Sequence, residues 1–361
     1  MIGRTLGLYL AARFTRAILA VFGTIFLLVY LIDFVEMLRR AGDISNVTSL
    51  GLAFLTLLRV PAITEQILPF ATLGGAMFAF ISLTRRLELV VARAAGVSVW
   101  QFLLPPLAIV LAIGVFSVAV YNPLSAVMKQ KADDIEISIF GRTAPAQGDT
   151  SLWLRQRGQD GQSVLRAEQS SERGLRLGTV SAFVFDLDNR FIERVEAARA
   201  HLEPGAWILE QARVIRPGEE PKDVETYRLP TFLSADQIGQ RFITPEAVPF
   251  WSLPELARRT AAAGLDATAY QLKYQALLAR PLLLAAMVLI AACFSLRFFR
   301  FGGVARTVSG GVAAGFVLYV VTKLVSDLGG AGIISTPVAA WGPAIIGGML
   351  GCLVLLYQED G

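Results

Sequence analysis

At 361 residues, 54% of them hydrophobic and only 17% charged, with a mean hydropathy of +0.56, the chain has the composition of an integral membrane protein and not of a soluble domain. Its net charge of +4 is uneven: residues 122–250 hold 16 basic and 19 acidic side chains and the remainder 17 and 10, so the basic excess flanks apolar runs and reports membrane orientation, not nucleic-acid binding. A single histidine (His201), cysteines only inside uncharged runs (Cys293 and Cys352) and no Gly-Lys pair argue against metal sites, disulfide frameworks, catalytic triads and a P-loop; no catalytic residue is assigned.

Arg4, Arg13 and Arg16 precede a first uncharged run at 17–32, which reads as an uncleaved membrane anchor. A polar segment at 33–59 carries Glu36, Arg39, Arg40 and Asp43. The second span, 66–84, is entered through Pro61 and Pro69, with Glu65 at its outer edge, where solvation is the simplest reading. A basic, helix-prone stretch at 83–101 follows, and a third span lies within 94–128, with Pro105 and Pro106 suited to a first turn or a kink.

Beyond Pro123 the pattern changes. From about residue 151 to 229, short apolar/polar alternations such as Ala182-Phe-Val-Phe-Asp and Ala206-Trp-Ile-Leu-Glu are separated by turn signals at 158–161, Asp188-Asn189, Pro204-Gly205 and Pro217-Gly218. They predict an antiparallel β sandwich or roll. Ser252-Leu-Pro-Glu255 predicts a capped helix ending near Gly264, and Asp266 a second cap before the fourth span. That span runs from Arg280 to Leu296, the turn after it is bracketed by Arg297, Arg300 and Arg306, and the fifth and sixth spans lie at about 307–322 and within 328–358. Arg16, Arg280 and Lys323 lengthen the shorter runs by snorkelling.

The basic amino terminus and the basic loops at 85–93 and 297–306 place both termini in the cytoplasm and the β domain outside. The predicted fold is an α-helical membrane protein of six transmembrane helices with an inserted all-β domain. Its divisions are 1–123 with three spans, 124–250 as the β domain, and 251–361 with a connecting helix and three further spans.

Within 83–101, Leu87, Val90, Val91, Ala94 and Ala95 form one apolar stripe, with Arg85, Arg86, Glu88 and Arg93 on the remaining surface and Gly96 as the stop. The stretch is either a cytoplasmic turn held outside by its arginines or a helix that docks on another protein. Arg39 and Arg40 sit where the positive-inside tendency disfavours them; an adjacent guanidinium pair matches lipid phosphates, and simple balance by Glu36 and Asp43 is the alternative. Gly311/Gly315, Gly347/Gly351 and Ala71/Gly75 are small-xxx-small pairs for helix packing, either within the chain or at a dimer seam, and Lys323 and Asp327 can pair on one face. The uncharged span cores weigh against an ion-coupled secondary transporter.

The runs Asp33-Phe-Val-Glu-Met-Leu-Arg-Arg-Ala-Gly42, Leu57-Leu-Arg-Val-Pro61, Arg86-Leu-Glu-Leu-Val-Val-Ala-Arg-Ala-Ala-Gly96 and Tyr270-Gln-Leu-Lys resemble the permease subunits of the lipopolysaccharide transport complex, the LptF/LptG family, and the LptG type more than LptF. The resemblance implies an ATP-binding-cassette permease that extracts lipopolysaccharide from the outer leaflet of the inner membrane. It implies a paralogous LptF-like permease as partner, a dimeric LptB-like ATPase holding the ATP and Mg, and an LptC-like periplasmic bridge protein with one membrane helix. It further implies a jellyroll-like periplasmic domain, a coupling helix at about 85–96 with Glu88 as its acidic ATPase contact, lipid-phosphate contacts at Arg39 and Arg40, and Asp33 where relatives carry a lysine. A permease for lipoprotein release or efflux is the nearest alternative, and three spans on either side of a β domain count against it.

Overall fold

The computed structural model describes residues 4–42, 48–140, 152–158, 161–171, 175–186, 190–231, 245–262, 266–297 and 304–360; Asp43, Ser151, Asp188, Asn189, Gly264 and Arg300 lie outside them. Among the described residues six helices are long and apolar enough to cross a membrane. The chain divides into a helical unit, Met1–Glu136 with Pro245–Gly361, and a β unit, Ile137–Thr244.

In the helical unit α1 (Arg4–Ala41) and α2 (Ser49–Arg85) are followed by the short α3 (Glu88–Ala94), then α4 (Val99–Phe116). The Ser98 hydroxyl and the Gln101 side chain form a capping box that starts α4, a signal not singled out in the sequence. The third span does not end near residue 123. It passes through a π-turn (Ser117–Tyr121) into α5 (Asn122–Phe140) as one continuous helix, so the division expected after residue 123 falls inside it. Pro123 lacks an N–H and would clash with the carbonyl four residues earlier in a regular helix. The wider π-turn relieves that clash, and the freed Ala119 carbonyl accepts a bond from the Trp251 indole at 3.2 Å.

After the β unit come α6 (Leu253–Ala262) and three membrane helices, α7 (Thr268–Arg297), α8 (Val304–Gly330) and α9 (Thr336–Asp360). Asp266 caps α7 by accepting the Thr268 N–H at 2.8 Å; these bonds favour the charged carboxylate and lower its pKa. Of the apolar windows of α2 and α7, 61% is buried, against 6% in α1 and 17% in α8. The first pair therefore forms the centre, and α1 and α8 form the flanks. α1 packs through one stripe, Leu10, Phe14, Ala17 and Ile18, and leaves Leu27, Leu28, Leu31 and Ile32 exposed.

The β unit has six strands, β1 (Leu152–Gly158), β2 (Gly161–Ser171), β3 (Arg176–Phe185), β4 (Phe191–Glu203), β5 (Ala206–Ile215) and β6 (Lys222–Pro230), in the order β1-β2-β3-β4-β5-β6. Each pairs antiparallel with its chain neighbour, so the described strands form a meander without the crossovers of a jellyroll; the short connections can join only adjacent antiparallel strands. Pairing lapses along one row, at Glu168, Thr179, Ala198, Gln211 and Glu225, where Thr179 and Gln211 take positive φ of 48° and 52°. Such irregularities bend a sheet. The sheet rolls until Gln156 of β1 meets β5 and the end of β6: its Oε1 accepts from Trp207 Nε1 at 3.1 Å and from the Thr231 hydroxyl at 2.7 Å. Leu165, Val180, Val195, Trp207 and Leu209 fill the inner face.

Candidate functional sites in the helical unit

The basic stretch is divided by Leu87, whose backbone is left-handed (φ 60°, ψ 7°). Arg85 closes α2 and Arg86 caps it, so the expected single helix over 85–96 is a seven-residue α3 set at its own angle, ended by Gly96 at φ 81°. Leu89 is buried among Leu83, Val99 and Phe102. The apolar stripe faces outward: Leu87 is 55% and Val91 67% exposed, Val90, Ala94 and Ala95 are exposed, and Arg85, Arg86 and Arg93 surround them. Glu88 is held within the chain. Its Oε1 accepts from Arg13 Nη1 at 3.1 Å and its Oε2 from the Tyr9 hydroxyl at 2.9 Å.

At the opposite end of α1, Glu36 accepts from both Arg39 (Nε 3.0 Å, Nη2 2.9 Å) and Arg40 (Nε 3.0 Å). Arg59 of α2 donates to Glu136 of α5 at 2.7 Å and lies 3.6 Å from Asp33, while Arg40 lies 3.9 Å from Glu136. Three arginines and three carboxylates brace α1, α2 and α5 with no excess of charge. Arg39, 77% exposed, is the more accessible member of the pair, and Arg40 is 43% exposed.

Glu65 is not solvated. With 4% of its side chain exposed, it accepts from Arg280 Nη1 at 2.5 Å, Asn122 Nδ2 at 2.9 Å and the Ser125 hydroxyl at 2.6 Å. Arg280, expected to snorkel, is 12% exposed and also donates to Ser117 Oγ at 3.3 Å. The Asn122 carbonyl oxygen Oδ1 accepts the Phe250 N–H at 2.9 Å, which secures the segment returning to the membrane helices. Asn122 and Ser125, one helical turn apart, were the available signal for a polar partner to Glu65. A carboxylate closed by an arginine, an amide and a hydroxyl, with Lys273 as a second cation within electrostatic reach, suits a structural tie and not a proton carrier for ion-coupled transport.

The small-residue pairs seat helices inside the chain. A Cβ on Gly311 would stand 2.4 Å from Met77 Cε, and one on Gly315 2.2 Å from Leu73 Cδ2, so both positions pack α8 on α2. At two other glycines the neighbour is backbone: a Cβ on Gly75 would stand 2.5 Å from Ile18 Cα, and one on Gly114 2.5 Å from Pro281 Cα. Gly114 was not singled out in the sequence. Lys323 and Asp327 pair at 3.0 Å on α8.

The family model described as lipopolysaccharide export system permease LptF/LptG matches residues 8–358. The Escherichia coli (strain K12) protein named lipopolysaccharide export system permease protein LptG is 27% identical over 317 residues, 84% of this chain and 86% of that protein. The Haemophilus influenzae protein of the same name is 24% identical over 365 residues, 98% and 96% of the two chains. Because the matched region takes in both halves of the helical unit and the β unit between them, the chain belongs to the lipopolysaccharide export system permease LptF/LptG family.

Proposed function

We propose that this chain is the LptG-like permease of an ATP-driven exporter that draws lipopolysaccharide from the outer leaflet of a bacterial inner membrane and passes it to a periplasmic bridge. The observation that carries the reading, on a chain of this family, is the outward apolar face of α3 ringed by Arg85, Arg86 and Arg93. It suits a docking surface for an LptB-like ATPase, which would hold the ATP and Mg; the permease itself contributes no nucleotide site. The positive-inside tendency puts that end and both termini in the cytoplasm and the β unit in the periplasm. The sparsely buried α1 and α8, on either side of α2, suit contacts with acyl chains, an LptF-like permease and the membrane helix of an LptC-like protein.

The test is reconstitution of the chain with those partners in proteoliposomes and measurement of ATP-dependent lipopolysaccharide release. Release that needs an ion gradient but no ATP would sink the reading in favour of a secondary transporter. Arg39→Glu with Arg40→Glu is expected to abolish photo-crosslinking to lipopolysaccharide in the complexes that assemble and hydrolyse ATP. Single substitutions are expected to be mild, because Glu36 serves both arginines.

A further inference from the structure

Movement imposed on α3 must leave it through whatever holds it. Four connections are available: the chain to α2, the chain to α4, the packing of Leu89 among Leu83, Val99 and Phe102, and side-chain contacts to α1. The first is weak as a lever. Leu87 is left-handed and exposed, so α3 is not a rigid extension of α2, and a leucine there carries roughly 1–2 kcal/mol of backbone strain that nothing buried repays. The second passes through the turn at 95–98, which includes Gly96 at positive φ.

The Leu89 packing is apolar and non-directional, whereas the contacts to α1 are polar and directed. Arg13 has one guanidinium nitrogen on Glu88 (Nη1, 3.1 Å) and the other on the hydroxyl of Ser82 in α2 (Nη2, 2.8 Å). Arg13 Nη1 also donates to the Tyr9 hydroxyl, which itself donates to Glu88 Oε2 at 2.9 Å. The Arg13 and Glu88 side chains are 16% and 32% exposed, so the pair is partly shielded from solvent. Both oxygens of the only carboxylate in the stretch are thus occupied by one helix, and that helix is the least buried of the six. Two donors from side chains one helical turn apart on α1, the Arg13 guanidinium and the Tyr9 hydroxyl, hold the two oxygens separately and so fix the orientation of the carboxylate as well as its position.

We propose that Arg13 is a positioning residue that ties α3 to α1 through Glu88, so that a displacement of α3 by its partner ATPase is delivered to the first membrane helix. This rests on the reading of α3 as the ATPase-facing element. It also assigns Glu88 inward, to the permease's own first helix, and leaves partner docking to Leu87, Val90, Val91 and the surrounding arginines.

The experiment uses the full complex in proteoliposomes with Arg13→Glu, Glu88→Arg and the double exchange, and measures ATPase retained per permease, ATP hydrolysis and lipopolysaccharide release. Either single reversal is expected to keep the ATPase bound and hydrolysing while release falls by about tenfold, within the usual range for coupling between distant sites. The double exchange rebuilds the pair and is expected to recover most of the release. Wild-type release from Arg13→Glu overturns the proposal, as does a double exchange no better than Glu88→Arg alone, which would place Glu88 against the ATPase. Should Arg13→Glu lower the yield of complex, the double exchange decides by itself: recovered yield and release support the tie, and failure of either overturns it. A wild-type complex that releases no lipopolysaccharide with ATP would instead sink the transport reading.

Discussion

Glu65 and Arg280 form a buried ion pair shared by the second and fourth membrane helices, with Asn122, Ser125 and Ser117 of the third completing their hydrogen bonds. Removing one charge from such a pair leaves the other buried and unmatched, which typically costs about 3–5 kcal/mol. Glu65→Gln is therefore expected to lower the apparent melting temperature of the detergent-solubilised protein strongly. Glu65→Gln combined with Arg280→Met removes both charges and is expected to recover much of that loss. An unchanged melting temperature in the single variant would mean that water or lipid reaches the pair and the tie is weak. Arg39 on the first helix is the contrasting case: Glu36 matches its guanidinium, but at 77% exposure the pair contributes little.

Among the helices, glycine decides where backbones can touch. At Gly114 an added methyl would meet Pro281 Cα, and at Gly75 it would meet Ile18 Cα and N; neither obstacle can turn aside as a side chain can. Overpacking of this kind costs typically about 1–3 kcal/mol. Gly114→Ala and Gly75→Ala are expected to destabilise the solubilised protein by that order, measured as a fall in thermal midpoint. Gly311→Ala should be milder, because it meets the thioether end of Met77, which has rotatable bonds in reserve. The reverse order would show that the seat of α8 on α2 is less forgiving than the approaches of α4 to α7 and of α1 to α2. The π-turn belongs to the same scale: it lets a proline-bearing helix continue from α4 into α5, and it presents the Ala119 carbonyl to Trp251.

The whole molecule consists of two units with separate cores, one among the membrane helices and one inside the rolled sheet. Among the described residues the sheet core is built from strands β2 to β6 alone, so residues 137–244 produced alone are expected to give a β-type circular dichroism spectrum and a cooperative melt. A disordered spectrum would mean that the roll needs the helices or a partner to close. Within that fragment Gln156→Leu should lower stability by about 1–3 kcal/mol, because the Trp207 N–H and the Thr231 hydroxyl would lose their shared acceptor while buried. The helical unit differs in that its flanking helices α1 and α8 bury little of their apolar surface within the chain.

Sequence by itself determined the six spans, the β insertion between the third and fourth, and the basic end of the helices. Those features follow from runs of apolar residues, from alternation with period two and from the placement of Arg4, Arg13, Arg85, Arg86 and Arg93, all of which are local. It also supplied Arg39, Arg40 and the coupling stretch as candidates. Tertiary structure alone decided that Glu65 is buried against Arg280, that Glu88 turns to Arg13, that the stripe of Leu87, Val90 and Val91 faces outward, and that Gly114 seats Pro281. The physical reason is range. A span or strand is specified by side chains within a few residues of one another, whereas the environment of a charge or a glycine depends on which helix packs beside it, here across 215 residues for Glu65 and Arg280.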